Sequence, residues 1–164
     1  MDNYQESEGR SAQEWRDVVY AFERRGMLYF AYDAALQGLD TDAGRGDRWL
    51  RHRAVLALVR AGASEAALEA FDDLSLADSI TDPEVAALDA RLKKELALKA
   101  RPEVRAQLLA SSAAAYFAIH ERGADSYPAI NAATLWLLAG EPERASALAE
   151  QAVSLASADK PTSA

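Results

Sequence analysis

Apolar residues recur along this chain at the three-and-four spacing of a helix face, broken at intervals by glycine or proline. Trp15, Val18, Val19 and Phe22 form the first such face. Ser11 and Glu14 stand before it at the spacing of a capping box, hydroxyl and carboxylate each satisfying an orphan amide. Gly26 interrupts, and a second apolar helix is predicted from Met27 to about Leu39. Asp40 to Asp47 reads as a loop containing Gly44 and Gly46. The next helix, Arg48 to Arg60, presents Leu50, Ala54, Val55 and Leu58 on one side. Gly62 follows, and Ser64 is expected to cap a helix ending near Leu74. Asp82 before Pro83 is an N-cap acid followed by a first-position proline, opening a helix to Lys99. Pro102 opens another to about Arg122, ended by Gly123. Pro128 opens a helix to Ala139, Gly140 breaks it, and Pro142 opens the last, to about Ala156. Nothing alternates polar and apolar for long, so no strand is predicted. The expected architecture is all-α, with eight helices in four antiparallel pairs.

Three of the pairs share one grammar. Gly26 is followed five residues later by Ala31 and nine later by Ala35; Gly62 by Ala67 and Phe71; Gly140 by Ala145 and Ala149. Eleven residues upstream stand Trp15, Arg51 and Ala129; eight upstream, Val18, Ala54 and Ala132; four upstream, Phe22, Leu58 and Trp136. A left-handed glycine allows a tight helix-to-helix turn. Small alanines then let the backbones approach, and the bulky late residue fills the space beside them. The pattern resembles the tetratricopeptide consensus, and the 36 residues from Gly26 to Gly62 lie close to its repeat length of about 34. The middle unit matches best. The pair from Pro83 to Arg122 has longer helices and lacks the turn glycine. The resemblance implies a tetratricopeptide-like α-α superhelix.

Composition narrows the function. The 164 residues suffice for one domain, expected over 11–157, between a flexible acidic arm at 1–10 and a flexible tail at 158–164. Eighteen basic against 26 acidic residues give a net charge of −8, which repels a nucleic-acid backbone. No cysteine is present, excluding disulfides, thiolate metal sites and thiol nucleophiles. No apolar run reaches the roughly 18 residues of a membrane span, and the start lacks a signal-peptide pattern. These features point to a soluble, cytoplasmic protein, and the Ala- and Arg-rich composition looks bacterial.

A narrower resemblance begins at Tyr127. The run Tyr-Pro-Ala-Ile-Asn-Ala-Ala-Thr-Leu-Trp-Leu-Leu-Ala-Gly, ending at Gly140, is similar to a motif of the tetratricopeptide-like TRAF-binding region of apoptosis signal-regulating MAP kinase kinase kinases and their bacterial relatives. The paired lysines Lys93 and Lys94, and the aromatic pair Tyr116 and Phe117 late in a long helix, repeat that layout. The resemblance spans about residues 12–157 and implies a regulatory scaffold with no catalytic activity. It does not make a TRAF protein the partner, since none is expected in a bacterium.

Catalytic and metal chemistry find little support in the sequence. His52 and His120 are the only histidines, too few for a metal site without converging carboxylates. Ser111 and Ser112 lie inside an Ala-rich helix, without the strained turn of a nucleophile elbow. Gly44-Arg45-Gly46 lacks the context of a phosphate loop. No cofactor, metal ligand or catalytic residue is therefore assigned. Asn131, inside an apolar helix, is given a structural role through a hydrogen bond to a neighbouring loop backbone. Gly26, Ala31, Gly62, Ala67, Phe71, Gly140 and Ala145 are the structural repeat positions.

Binding is read instead from the face that helical repeats turn inward. Between Arg45 and Arg60, five arginines face one acid, Asp47, a local +4; from Glu65 to Asp89 there are eight acids and no base. The inner positions of the second pair would be Trp49, His52, Leu56, Val59 and Arg60, with Arg53 at the rim. Those of the last pair would be Tyr127, Ile130, Thr134 and Leu137. Aromatics, aliphatics and arginine are hot-spot chemistry; the competing reading is that they pack on adjacent units. The predicted partner is a protein or peptide, acidic where it meets the second pair. Arg16, Tyr20 and Arg53 stand where a terminal-carboxylate clamp would place Lys and Asn, so chaperone-tail binding is not expected. The alternatives are a ligand-sensing or catalytic domain with a pocket between pairs, and a self-assembling homo-oligomer.

Overall fold

The computed structural model describes residues 9–123 and 125–158. Most of the expected acidic arm and all but one residue of the expected tail lie outside them. Among the described residues there are eight α-helices and no strand: α1 (Ala12–Arg24), α2 (Leu28–Asp40), α3 (Arg48–Arg60), α4 (Ser64–Asp73), α5 (Pro83–Lys99), α6 (Pro102–Gly123), α7 (Ser126–Leu138) and α8 (Pro142–Ala158). A short 3₁₀ turn, Leu76–Ser79, follows α4. The all-α, tetratricopeptide-like architecture read from the sequence is the one observed. The helices group into two compact units, the first ending at Ser79 and the second starting at Ile80.

The repeat grammar is a hydrogen-bond pattern. Gly26, Gly62 and Gly140 sit at φ +71°, +78° and +87°. Each glycine donates its N–H to the carbonyl three residues back (Glu23, Val59, Leu137), and the next residue donates to the carbonyl five back (Phe22, Leu58, Trp136). This is the Schellman closure of a helix C-terminus. The residue after the glycine then opens the next helix, its carbonyl accepting from Ala31, Ala67 or Ala145 at 3.0, 2.9 and 3.1 Å. One dipeptide thus closes one helix and starts another. Ser64 is accordingly the first helical residue and is buried, while Ala63 takes the N-cap position without a side-chain cap.

In the first unit, Trp15, Val19, Ala31, Ala35, Leu50 and Ala54 form a buried core. A β-carbon added to Gly38 would stand 2.9 Å from Leu50 Cδ1 and 3.0 Å from Trp15 Cβ, which measures how closely α2 lies on its neighbours. In the second pair Ala67 and Phe71 are buried, and Leu50 fills the core position next to half-buried Arg51. Ser11 and Glu14 make the full capping box, and hydrogen bonds from Ser11 hold the Glu14 carboxyl below its ordinary value.

In the second unit, Ala90, Ala97, Leu109, Ala113, Tyr116, Ala129, Leu135, Trp136, Ala145 and Leu148 share one core. The α5–α6 turn uses proline instead of glycine: Ala100 is extended at φ −69°, ψ 154°, and Pro102 begins α6. Ser112 Oγ donates to the Ala90 carbonyl at 2.9 Å, pinning α6 to α5 as a small buried residue, whereas Ser111 is exposed. Helix α7 starts at Ser126 behind the N-cap Asp125. Pro128 falls in its first turn, where an N–H has no helical acceptor anyway. Ala149 is exposed; Leu148 takes the core position in α8.

Candidate protein-interaction surface

Helix α7 carries large apolar side chains on its exposed as well as its buried face. Ala129, Ala132, Ala133, Leu135 and Trp136 turn into the core. Tyr127, Ile130, Leu137 and Leu138 remain 63%, 52%, 59% and 58% exposed. Tyr127, Ile130, Thr134 and Leu137 are spaced by three, four and three residues, a continuous stripe along one face. Thr134 donates its hydroxyl to the Ile130 carbonyl at 2.8 Å, which leaves that position little outward polarity.

Asn131 fastens the edge of this stripe. Its Nδ2 donates to the Tyr127 carbonyl at 3.0 Å, inside its own helix and not to a loop. Its Oδ1 accepts from Lys94 Nζ of α5 at 3.4 Å. The Lys94 ammonium also lies 5.7 Å from the Tyr116 ring centroid, within cation–π range. Burial pushes the Tyr116 phenol up to about 12, and the nearby Tyr127 phenol adds to the rise. Lys94, Tyr116, Tyr127 and Asn131, drawn from three helices, therefore meet in one place.

The basic second pair is arranged differently. Trp49 is half-buried against the first-unit core, and the Arg53 guanidinium lies 5.2 Å from its ring centroid. Arg53 also binds the Glu23 carboxylate, donating from Nε at 3.1 Å and from its terminal nitrogen. Arg60 Nη1 stands 3.9 Å from the other Glu23 oxygen. Glu23 is 5% exposed and on α1. Arg16 reaches Asp47 at 2.7 Å and Arg45 reaches Asp42 at 2.9 Å. Acids outside the segment, Glu23 and Asp42, thus answer much of the local +4. His52 and Leu56 are half-buried, Val59 is buried and Arg60 is exposed. Counting charges along the chain misses Glu23, because its burial depends on an arginine thirty residues away.

A groove of about 440 Å³ is lined by Phe117, Trp136, Arg144, Leu148 and Gln151. The Phe117 and Trp136 rings are 5.2 Å apart, and the Arg144 guanidinium lies 5.4 Å from the Trp136 centroid. His120 is buried, its Nδ1–H donating to the Asp125 carbonyl at 2.9 Å. No cluster of three or more His, Asp or Glu able to hold a metal occurs among the described residues.

Residues 31–136 match the family model described as TPR-S, Tetratricopeptide Repeats-Sensor. The chain belongs to the tetratricopeptide repeats-sensor family. No curated protein and no solved structure matches it. Within this repeats-sensor chain, the matched span holds the Gly62 turn, the α5–α6 pair and the Lys94, Tyr116, Tyr127 and Asn131 cluster. No helix among the described residues is long and apolar enough to cross a membrane.

Proposed function

We propose that the protein is a non-enzymatic interaction and regulatory scaffold that receives a partner protein on the outward face of α7. The observation that carries this reading is the stripe Tyr127, Ile130, Thr134 and Leu137, which keeps three large apolar side chains more than half exposed on a well-packed helix. Such a face costs solubility unless something covers it. Trp49, His52, Leu56 and Arg60, with Arg53 held beside them, supply a second contact area in the first unit. The family's description as a sensor supports a regulatory role. The likeness to the TRAF-binding region of the kinase family is supported by contact: Lys94, Tyr116, Tyr127 and Asn131, which carry it in the sequence, touch or adjoin one another. One observation favours a ligand-sensing alternative, the groove floored by Phe117 and Trp136 with Arg144 over the indole.

The test is affinity capture from the native host cytoplasm with the full chain, beside Ile130→Asp and a Trp136→Ala groove variant. A partner retained by wild type and lost by Ile130→Asp is the expected result. Equal retention by Ile130→Asp overturns the α7 assignment. Loss through Trp136→Ala alone, in a folded variant, moves the site to the groove. A mass that grows with concentration only for wild type would identify the partner as a second copy of the chain.

A further inference from the structure

Several partly buried cations in this protein are answered by a carboxylate. Arg16 has Asp47, Arg53 has Glu23, and Lys93 has Asp89 at 2.6 Å. Arg91 and Lys94 are not, as is also the case, among the described residues, for Arg10 and Arg51 in the first unit. Arg91 and Lys94 are half-buried on α5, three residues apart and so on one helix face. No carboxylate among the described residues comes within ion-pairing distance of either. Lys94 is nonetheless held in place by Asn131 at 3.4 Å and by the buried ring of Tyr116. An ammonium has three donors, and the single bond to Asn131 is long. Glu95, half-buried one residue on, also acts on the Tyr116 phenol, so with Arg91 and Lys94 the spot carries +1 in a chain of net −8.

From the tethered Lys94 and the exposed stripe beside it we infer that Lys94 and Asn131, with Arg91 one turn earlier on α5, form an anion subsite that takes the carboxylate of an acidic–apolar peptide segment lying along α7. The inference rests on the α7 reading above and names the class of partner. Helices α5 and α7 are each antiparallel to α6 and so run in the same direction. The Lys94–Asn131 bond fixes their level, beside Tyr127 and Ile130 and ahead of Thr134 and Leu137. Leu98, one turn beyond Lys94 on α5, is 51% exposed and extends the apolar area. A free small anion would leave the stripe uncovered. A nucleic acid would carry its charge into an acidic protein. A peptide with one carboxylate and a bulky apolar residue satisfies both features. Six helical residues separate Asn131 from Leu137, a rise of about 9 Å. That distance corresponds to about three residues of extended partner chain or about six of helical partner.

The experiment selects short random peptides on the immobilised full chain and measures their affinity for wild type, Lys94→Glu, Lys94→Gln, Arg91→Glu and Ile130→Asp. Melting curves show which variants are folded. The expected peptides pair Asp or Glu with a large apolar residue at one of those spacings. Lys94→Glu is expected to weaken them by about tenfold or more, the size of a hydrogen bond to a charged group. Lys94→Gln, which keeps a donor and loses the charge, should weaken them less, and the peptide's own Glu→Gln change should match it. Peptides without acids, or acidic peptides that bind Lys94→Glu as they bind wild type, overturn the subsite. If those same peptides are lost on Ile130→Asp, the α7 surface survives without it. If none depends on Ile130, both readings fall.

Discussion

Gly62 sits at φ +78°, with open space where a side chain would go, so the penalty for replacing it is conformational. Gly62→Val should cost about 1–2 kcal/mol, and Gly62→Asn less, because asparagine tolerates the left-handed region; chemical denaturation compares the two. Gly44 differs in kind. A β-carbon there would fall 2.1 Å from the Gly38 carbonyl oxygen, so Gly44→Ala should be more damaging than Gly62→Val. Glu23 is the other decisive residue. Removing one partner of a buried ion pair strands the other charge, so Glu23→Ala should lose about 3–5 kcal/mol, with Arg53 left behind at 22% side-chain exposure. A loss comparable to that of an exposed ion pair would show that water already reaches the site. The turn glycines were legible in the sequence because the backbone conformation demands that residue type. Glu23 was not, since α1 carries it on the face of Val19, and only the approach of α3 supplies Arg53.

At the scale of elements, the middle helix pair tests the repeat directly. Phe71 is 5% exposed and Ala67 fully buried. Phe71→Ala should cost about 3–5 kcal/mol through the cavity it leaves. Ala67→Leu should cost about 1–3 kcal/mol by pushing α3 and α4 apart. Urea unfolding checks both, and wild-type stability in either would contradict the packing described. The α5–α6 pair adds a pH test through Tyr116. Its phenol is raised to about 12, so the folded state holds the proton more tightly than the unfolded chain, where tyrosine titrates near 10. Its stabilising contribution is therefore complete below about pH 10 and lost as pH rises toward 12. Tyr116→Phe should flatten that alkaline decline relative to wild type. Helix boundaries were largely visible from glycine, proline and cap residues. Three starts moved for physical reasons: the Schellman turns put Met27, and Ala63 rather than Ser64, at the N-cap, and α7 starts at Ser126 behind Asp125, two residues before Pro128. The four positions of the α7 stripe were legible from their spacing, expected on the inner face of the repeat; their exposure depends on what packs against α7. The unanswered charge of Arg91 and Lys94 was not legible, because Lys93 beside them is paired and the sequence cannot tell the three apart.

At the scale of the molecule, an acidic repeats-sensor chain presents a long apolar stripe on α7 and beside it Lys94, held by Asn131 and Tyr116 and without a carboxylate partner among the described residues. Arg144, near the α6–α8 groove, is by contrast already paired with Glu141 at 2.9 Å, which leaves the groove less charge to offer a partner. The measurement that tests the α7 surface most directly is the affinity of the captured partner for wild type and Leu137→Asp, taken with melting curves of the same samples. Leu137 is 59% exposed, so Leu137→Asp should leave the melting temperature unchanged and weaken binding by about tenfold or more, the loss of a contact worth over 1 kcal/mol. A Leu137→Asp protein that melts like wild type and binds as tightly would contradict the central claim.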